Sequence, residues 1–194
     1  MPNMAPIFQI HAAPTISHNG ELTGHHRKRT ATSGDSTLWR MHPATQNVAN
    51  VLRAHGVAGE VKELPEPAPT AVAAAEQLGC DVGAIANSLV FNADGEPLLI
   101  LTSGAHRVDT AKIAADIGAE SVRRADPDFV RSATGQVIDG VAPVGHPRPV
   151  RTLVDCWLEK YDVVWAAAGH VHTVFPTSFD ELVRITSGTP ADVG

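Results

Sequence analysis

The stretch IANSLVFNADGEPLLILTS, Ile85–Ser103, decides how the centre of the chain folds. Its two apolar runs, Ser88–Phe91 and Leu98–Thr102, flank Asn92-Ala-Asp-Gly95. β-Branched and aliphatic residues on both sides of an Asp-Gly turn predict a β-hairpin. Ser103-Gly-Ala-His-Arg-Val-Asp109 follows directly, bringing His106, Arg107 and Asp109 within one turn of the strand end.

Helices are expected on both sides of the hairpin. From Pro43, the residues Val48, Val51 and Leu52 recur at helical spacing until Gly56. Ala58–Leu64 alternates enough for a short strand, and Pro65–Pro69 is a stiff connector. Thr70 caps a helix reaching Leu78, with Gly79 just past its end. Asp109 or Thr110 caps the next helix, whose Ile113, Ala114 and Ile117 share a face and which Gly118 ends. Asp126-Pro127 opens a short helix running toward Ser132. Val137–Val144 and Val150–Val154 read as strands split by Gly145-His-Pro147. Val163–Ala168 and Val171–Phe175 form another apolar pair around Gly169-His170. Ser178-Phe-Asp-Glu181 is a capping box for the last helix. About seven strands and five helices in irregular order predict one α+β domain over 41–194, with a mixed, largely antiparallel sheet and surrounding helices.

Composition agrees with a globular domain. The chain has 194 residues, 43% apolar and 19% charged, with a formal charge of −6. Collagen-like, coiled-coil and wholly disordered readings are excluded. No apolar run approaches the ~20 residues of a membrane helix, and no membrane partner is expected. Residues 1–40 carry four basic side chains against Glu21 and Asp35, and no apolar periodicity. That stretch is expected to be a disordered tail. Its Gly24-His-His-Arg-Lys-Arg29 run is either a solvated charge cluster or a nucleic-acid patch. Cys80 and Cys156 are too few for a disulfide framework and suit buried thiols in a reducing cytoplasm.

The motifs for nucleotide hydrolysis, dinucleotide redox chemistry and serine-esterase chemistry are absent. His170-Val-His172 would place two imidazoles on one side of a strand, where His146 or Asp155 could complete a metal site; structural or substrate-contacting roles are the alternatives. The segment Gly140-Val-Ala-Pro-Val-Gly145-His-Pro147 either aims backbone amides at an oxygen or is a plain inter-strand turn. Arg107 either braces Asp109 or meets a phosphate.

The order of these motifs resembles the YbaK/ProX family of aminoacyl-tRNA deacylases, also called prolyl-tRNA editing or INS-like domains. The matching stretches are Thr70–Gly79, IANSLVF, LLILTSGAHRVD, AKIAADIGA, RRADPDFV, TGQVIDGVAPVGHP (Thr134–Pro147), TLVD (Thr152–Asp155), VWAAAGHVHTVFP (Val164–Pro176) and DELVRIT. They run collinearly over nearly all of residues 43–190.

The resemblance implies a single YbaK-like domain that hydrolyses the ester joining a wrong amino acid to the tRNA 3′ end. Alanine or cysteine on tRNA for proline is the typical substrate. It implies attack by water or the terminal 2′-hydroxyl, with no covalent nucleophile, cofactor or metal. The aminoacyl-tRNA 3′ end is the expected partner, with a synthetase as a further one; the oligomeric state is left open. On this reading, backbone amides around Gly140–Gly145 meet the carbonyl oxygen, and Asn87 holds the ribose or the α-amino group. Asp155 takes the α-ammonium, orients a water, or simply braces the loop. His146 and His170 are candidate general bases. Ser103, Gly104, Arg107, Thr134, Gly135, Pro143, Gly169 and His170 are expected to line the substrate site. Arg123, Arg124 and Arg148 are expected to meet tRNA phosphates.

Two departures stand out. Asn87 replaces the family's usual lysine, and Ala167-Ala168-Gly169 replaces the Ser-Gly-Gly of cysteine-specific members. The first favours, as the alternative function, a non-catalytic module binding aminoacyl-adenosine or a synthetase.

Overall fold

The computed structural model describes residues 41–194, and the expected tail, 1–40, lies outside them. In chain order the elements are α1 (Pro43–Ala54), β1 (Lys62–Glu63), α2 (Ala71–Leu78), β2 (Ile85–Ala93) and β3 (Glu96–Ser103). They continue with α3 (Thr110–Ile117), β4 (Val122–Arg124), α4 (Pro127–Thr134) and β5 (Arg151–Asp155). β6 (Val164–Ala167), β7 (Thr173–Thr177), α5 (Phe179–Thr186) and β8 (Thr189–Ala191) complete the chain.

The helices start and stop where side-chain chemistry dictates. Thr70, Asp109, Asp126 and Ser178 each accept a backbone N–H in the first turn of α2, α3, α4 and α5. Gly79, Gly118 and Gly135 end α2, α3 and α4 in the left-handed conformation. The hairpin of β2 and β3 runs from the Ala86–Ser103 pair to the Ala93–Glu96 pair.

The sheet has the order β1-β7-β6-β2-β3-β5-β8, with β4 on β2. It is mixed: β2 pairs antiparallel with β3 and β4, while β2–β6, β3–β5 and β5–β8 are parallel. Both faces are covered, so Leu98, Leu99, Ile100 and Leu101 on β3 are all fully buried. Leu99 and Leu101 pack with α1 and α5 through Val48, Leu52, Leu182 and Ile185. Leu98 and Ile100 pack with α3 through Ile113 and Ala114. This double burial explains the unbroken apolar run in the sequence.

The structure corrects several expectations. Val137–Val144 is not a strand: a 3-10 turn at Ile138–Gly140 opens a loop. The Gln136 side chain substitutes for a strand partner, its Nε2 donating to the Val144 carbonyl (3.1 Å) and its Oε1 accepting from Ala142 N–H (2.6 Å). Pro143 has no N–H to donate. The Ala58–Leu64 strand shrinks to Lys62–Glu63. The Val171–Phe175 strand starts two residues later, because His170 to Thr173 forms a turn closed by Thr173 N–H on the His170 carbonyl. β4 and β8, three residues each, bring the sheet to eight strands rather than seven.

Candidate active site

A gap in the sheet creates the site. On one edge β2 is bonded to β3 along its length. On the other edge, β6 reaches only Ile85 and Ala86, and β4 only Phe91–Ala93. Asn87 through Val90 therefore border a cleft of about 260 Å³. Thr70 and Ala71 at the start of α2, the Ile138–Val141 segment, and His170 and Thr173 form its other walls.

Strand geometry gives this gap a polar lip. Gly104 N–H donates to the Ile85 carbonyl on the β3 side, and Ala125 N–H donates to the Val90 carbonyl on the opposite side. Alternation along the strand turns the N–H and C=O of Ser88 the same way as those of Val90, into the gap. The Ser88 hydroxyl is buried and has no hydrogen-bond partner. Asn87 lines the cleft beside it. Asp139 and Arg124 are the cleft's carboxylate and guanidinium, and neither takes part in the ion pairs of the described residues.

Gly140 sits under this cleft by close packing. A Cβ there would lie 2.9 Å from the His170 Cα and 3.0 Å from its carbonyl carbon. The loop thus rests on the backbone of His170. The His170 ring in turn stacks between His42, at 4.9 Å between centroids, and His172, at 5.5 Å. Burial, and then its two imidazole neighbours, hold His170 below the usual histidine range. His42, not His146 or Asp155, completes this cluster, and among the described residues no group is arranged to hold a metal ion.

The other sequence-predicted residues lie elsewhere. Asp155 is fully buried at the end of β5. Its Oδ2 accepts from Ser103 N–H (3.0 Å) and Thr102 Oγ1 (3.3 Å) and pairs with His106 Nδ1 (3.1 Å). Its Oδ1 accepts from Trp157 N–H (3.0 Å). Ser103 Oγ donates to the Gly83 carbonyl, and Gly104 packs on Val82. Arg107 is exposed and does not brace Asp109, which caps α3 instead. Thr134 Oγ1 donates to the Val130 carbonyl, and Gly135 is the cap of α4.

Gly145 has a φ of +85° and its carbonyl accepts from Asn47 of α1. His146 Nε2 bonds the Ala142 carbonyl (2.9 Å), Pro143 is buried, and Gly169 packs against Ala44. None of these lines the cleft. Arg123 and Arg148 are exposed outside its lining, whereas Arg124 is on it. Ser88 and Asp139 were missed in the sequence. Each is adjacent to a residue that was singled out, Asn87 and Gly140; the pairing of β2 reveals Ser88, and the turn at Ile138–Gly140 brings Asp139 to the cleft.

Comparison with known proteins places this architecture. The model of the aminoacyl-tRNA editing domain matches residues 65–185, more than half of the chain. The chain belongs to the aminoacyl-tRNA editing domain family. The solved structure of a candidate trans-editing enzyme for prolyl tRNA synthetase superposes on the editing domain with a TM-score of 0.74 and 37% identity. That match covers 79% of this chain and 98% of the other. YwhH of Bacillus subtilis, described as uncharacterized, is 29% identical over 63% of this chain and 78% of its own. A proline–tRNA ligase of Nitratidesulfovibrio vulgaris is 31% identical over 70% of this chain. The editing domain spans 25% of that ligase's length.

Proposed function

We infer that this editing domain is an aminoacyl-tRNA deacylase, hydrolysing the ester of mischarged tRNA, with tRNA for proline as its substrate. The cleft at the broken edge of β2 carries the reading, because it concentrates the polar groups that the fold leaves unused. The resemblance to a candidate trans-editing enzyme and to proline–tRNA ligases supports the choice of tRNA.

The chemistry is acyl transfer to water, aided by the terminal 2′-hydroxyl. An ester is already activated, so positioning and one oxyanion donor, worth roughly 3–4 kcal/mol, carry much of the catalysis. Gly140 N–H is engaged by the Val137 carbonyl and Ala142 N–H by Gln136. We therefore assign the substrate carbonyl to the amide of Val141, on the cleft wall. Asn87 holds the ribose through an amide that both donates and accepts. His170, kept neutral by its surroundings, accepts a proton from the attacking water. Arg124 at the cleft, with Arg123 beside it on β4, receives the phosphate of the acceptor strand.

Asn87 in place of lysine also suits a module that binds aminoacyl-adenosine without hydrolysis. A deacylation panel over alanyl-, cysteinyl- and prolyl-tRNA for proline separates the two. Release of a non-cognate amino acid with prolyl-tRNA spared is expected; binding without release of any amino acid would establish the binding module instead.

A further inference from the structure

Asp139 is the carboxylate of the cleft, exposed and outside every ion pair of the described residues. It stands one residue before Gly140, which is locked onto the His170 backbone, so the cleft wall that carries it is held in place. Ser88 lines the same cleft, and its carbonyl turns into the gap of β2, where no strand of the described residues pairs with it. Position 87, on the same wall, holds a neutral amide, so no lysine stands there to neutralise Asp139. An anionic acceptor and a carbonyl acceptor facing one space suit a small cation with several N–H donors.

We propose that Asp139, together with the Ser88 carbonyl, binds the free α-ammonium of the aminoacyl group. The domain then selects aminoacyl esters with an unblocked amine over N-acylated or peptidyl esters. This rests on the deacylase reading, with Asp139 as a substrate-binding, specificity-determining residue. An acylated nitrogen loses its charge and two donors, leaving both acceptors underused.

The test compares alanyl-tRNA and N-acetyl-alanyl-tRNA for proline with the wild-type protein and Asp139→Asn. Wild type should favour the free amine at least about tenfold in kcat/KM. Asp139→Asn should lose about that factor on the free amine, chiefly in KM, and bring the ratio of the two substrates near one. Equal loss on both substrates, or an unchanged ratio, overturns the proposal. Calorimetric binding of non-hydrolysable 3′-alanylamido-adenosine and its N-acetyl form keeps the deacylase reading separate. Amine-dependent binding lost in Asp139→Asn supports the assignment even if no ester is cleaved, and amine-independent binding contradicts it even if esters are cleaved.

Discussion

Two polar clusters flank the central hairpin, and they differ in how completely their atoms are paired. At the end of β5, the Asp155 carboxylate accepts from Ser103, Thr102 and Trp157 and pairs with His106. At the broken edge of β2, the Ser88 hydroxyl has no partner, and Asp139 and Arg124 take part in none of the ion pairs. Buried polar groups are normally satisfied, so the saturated Asp155 cluster reports on folding, and the orphaned Ser88 hydroxyl beside two exposed charges reports on a missing ligand. Residue type does not separate the two: a carboxylate, a serine and a histidine occur in both.

Breaking the saturated cluster should have the largest effect. Asp155→Ala leaves the buried Ser103 amide, the Trp157 amide and the His106 ring without their acceptor, and is expected to cost about 3–5 kcal/mol of stability. Urea unfolding measures it, and a change below about 1 kcal/mol would show that the network is dispensable. Gly140→Ala drives a methyl group into the His170 backbone and should cost about 1–3 kcal/mol by overpacking. Because that contact supports the cleft, turnover should also fall at least about tenfold. Normal turnover would separate the loop from the chemistry.

These contrasts mark what the sequence could convey. Helix ends were legible because Thr70, Asp109, Asp126 and Ser178 cap locally, and Gly79, Gly118 and Gly135 terminate locally. The hairpin was legible for the same reason, its turn being four residues long in the sequence. Val137–Val144 misled because its apolar residues suggest a strand, while the side chain of Gln136 satisfies the backbone there. β4 and β8 were hidden by their length and by Arg123 and Arg124. Asp155 and Asn87 looked alike as candidates, since neither the hydrogen-bond partners of one nor the missing strand partner of the other is local.

Smaller effects sharpen the boundary of the cleft. Arg124 is on its lining and Arg148 is not. Arg124→Ser should lower the slope of log affinity for tRNA against log salt by about one, with Arg148→Ser leaving it unchanged. Equal slopes for the two variants would remove the distinction. Burial holds the His146 imidazole below its ordinary value near 6.5, so the unfolded chain takes up a proton first on acidification. Its contribution to stability is complete above that value and is lost as pH falls toward the folded one. The melting temperature should drop as pH falls below about 6.5, less steeply in His146→Gln. An identical pH profile in the variant would place the acid sensitivity elsewhere.

The division between the two clusters is tested most directly by measuring turnover per folded molecule and the unfolding midpoint together for Asn87→Ala and His106→Gln. Asn87→Ala should lose roughly 1–3 kcal/mol of transition-state stabilisation with its midpoint unchanged. His106→Gln, which removes the pairing with Asp155 and the ring contact with Trp157, should lower the midpoint and leave turnover per folded molecule as in wild type. A stable His106→Gln protein without turnover, beside a fully active Asn87→Ala protein, would place the active site at the Asp155 cluster and contradict the assignment of the cleft.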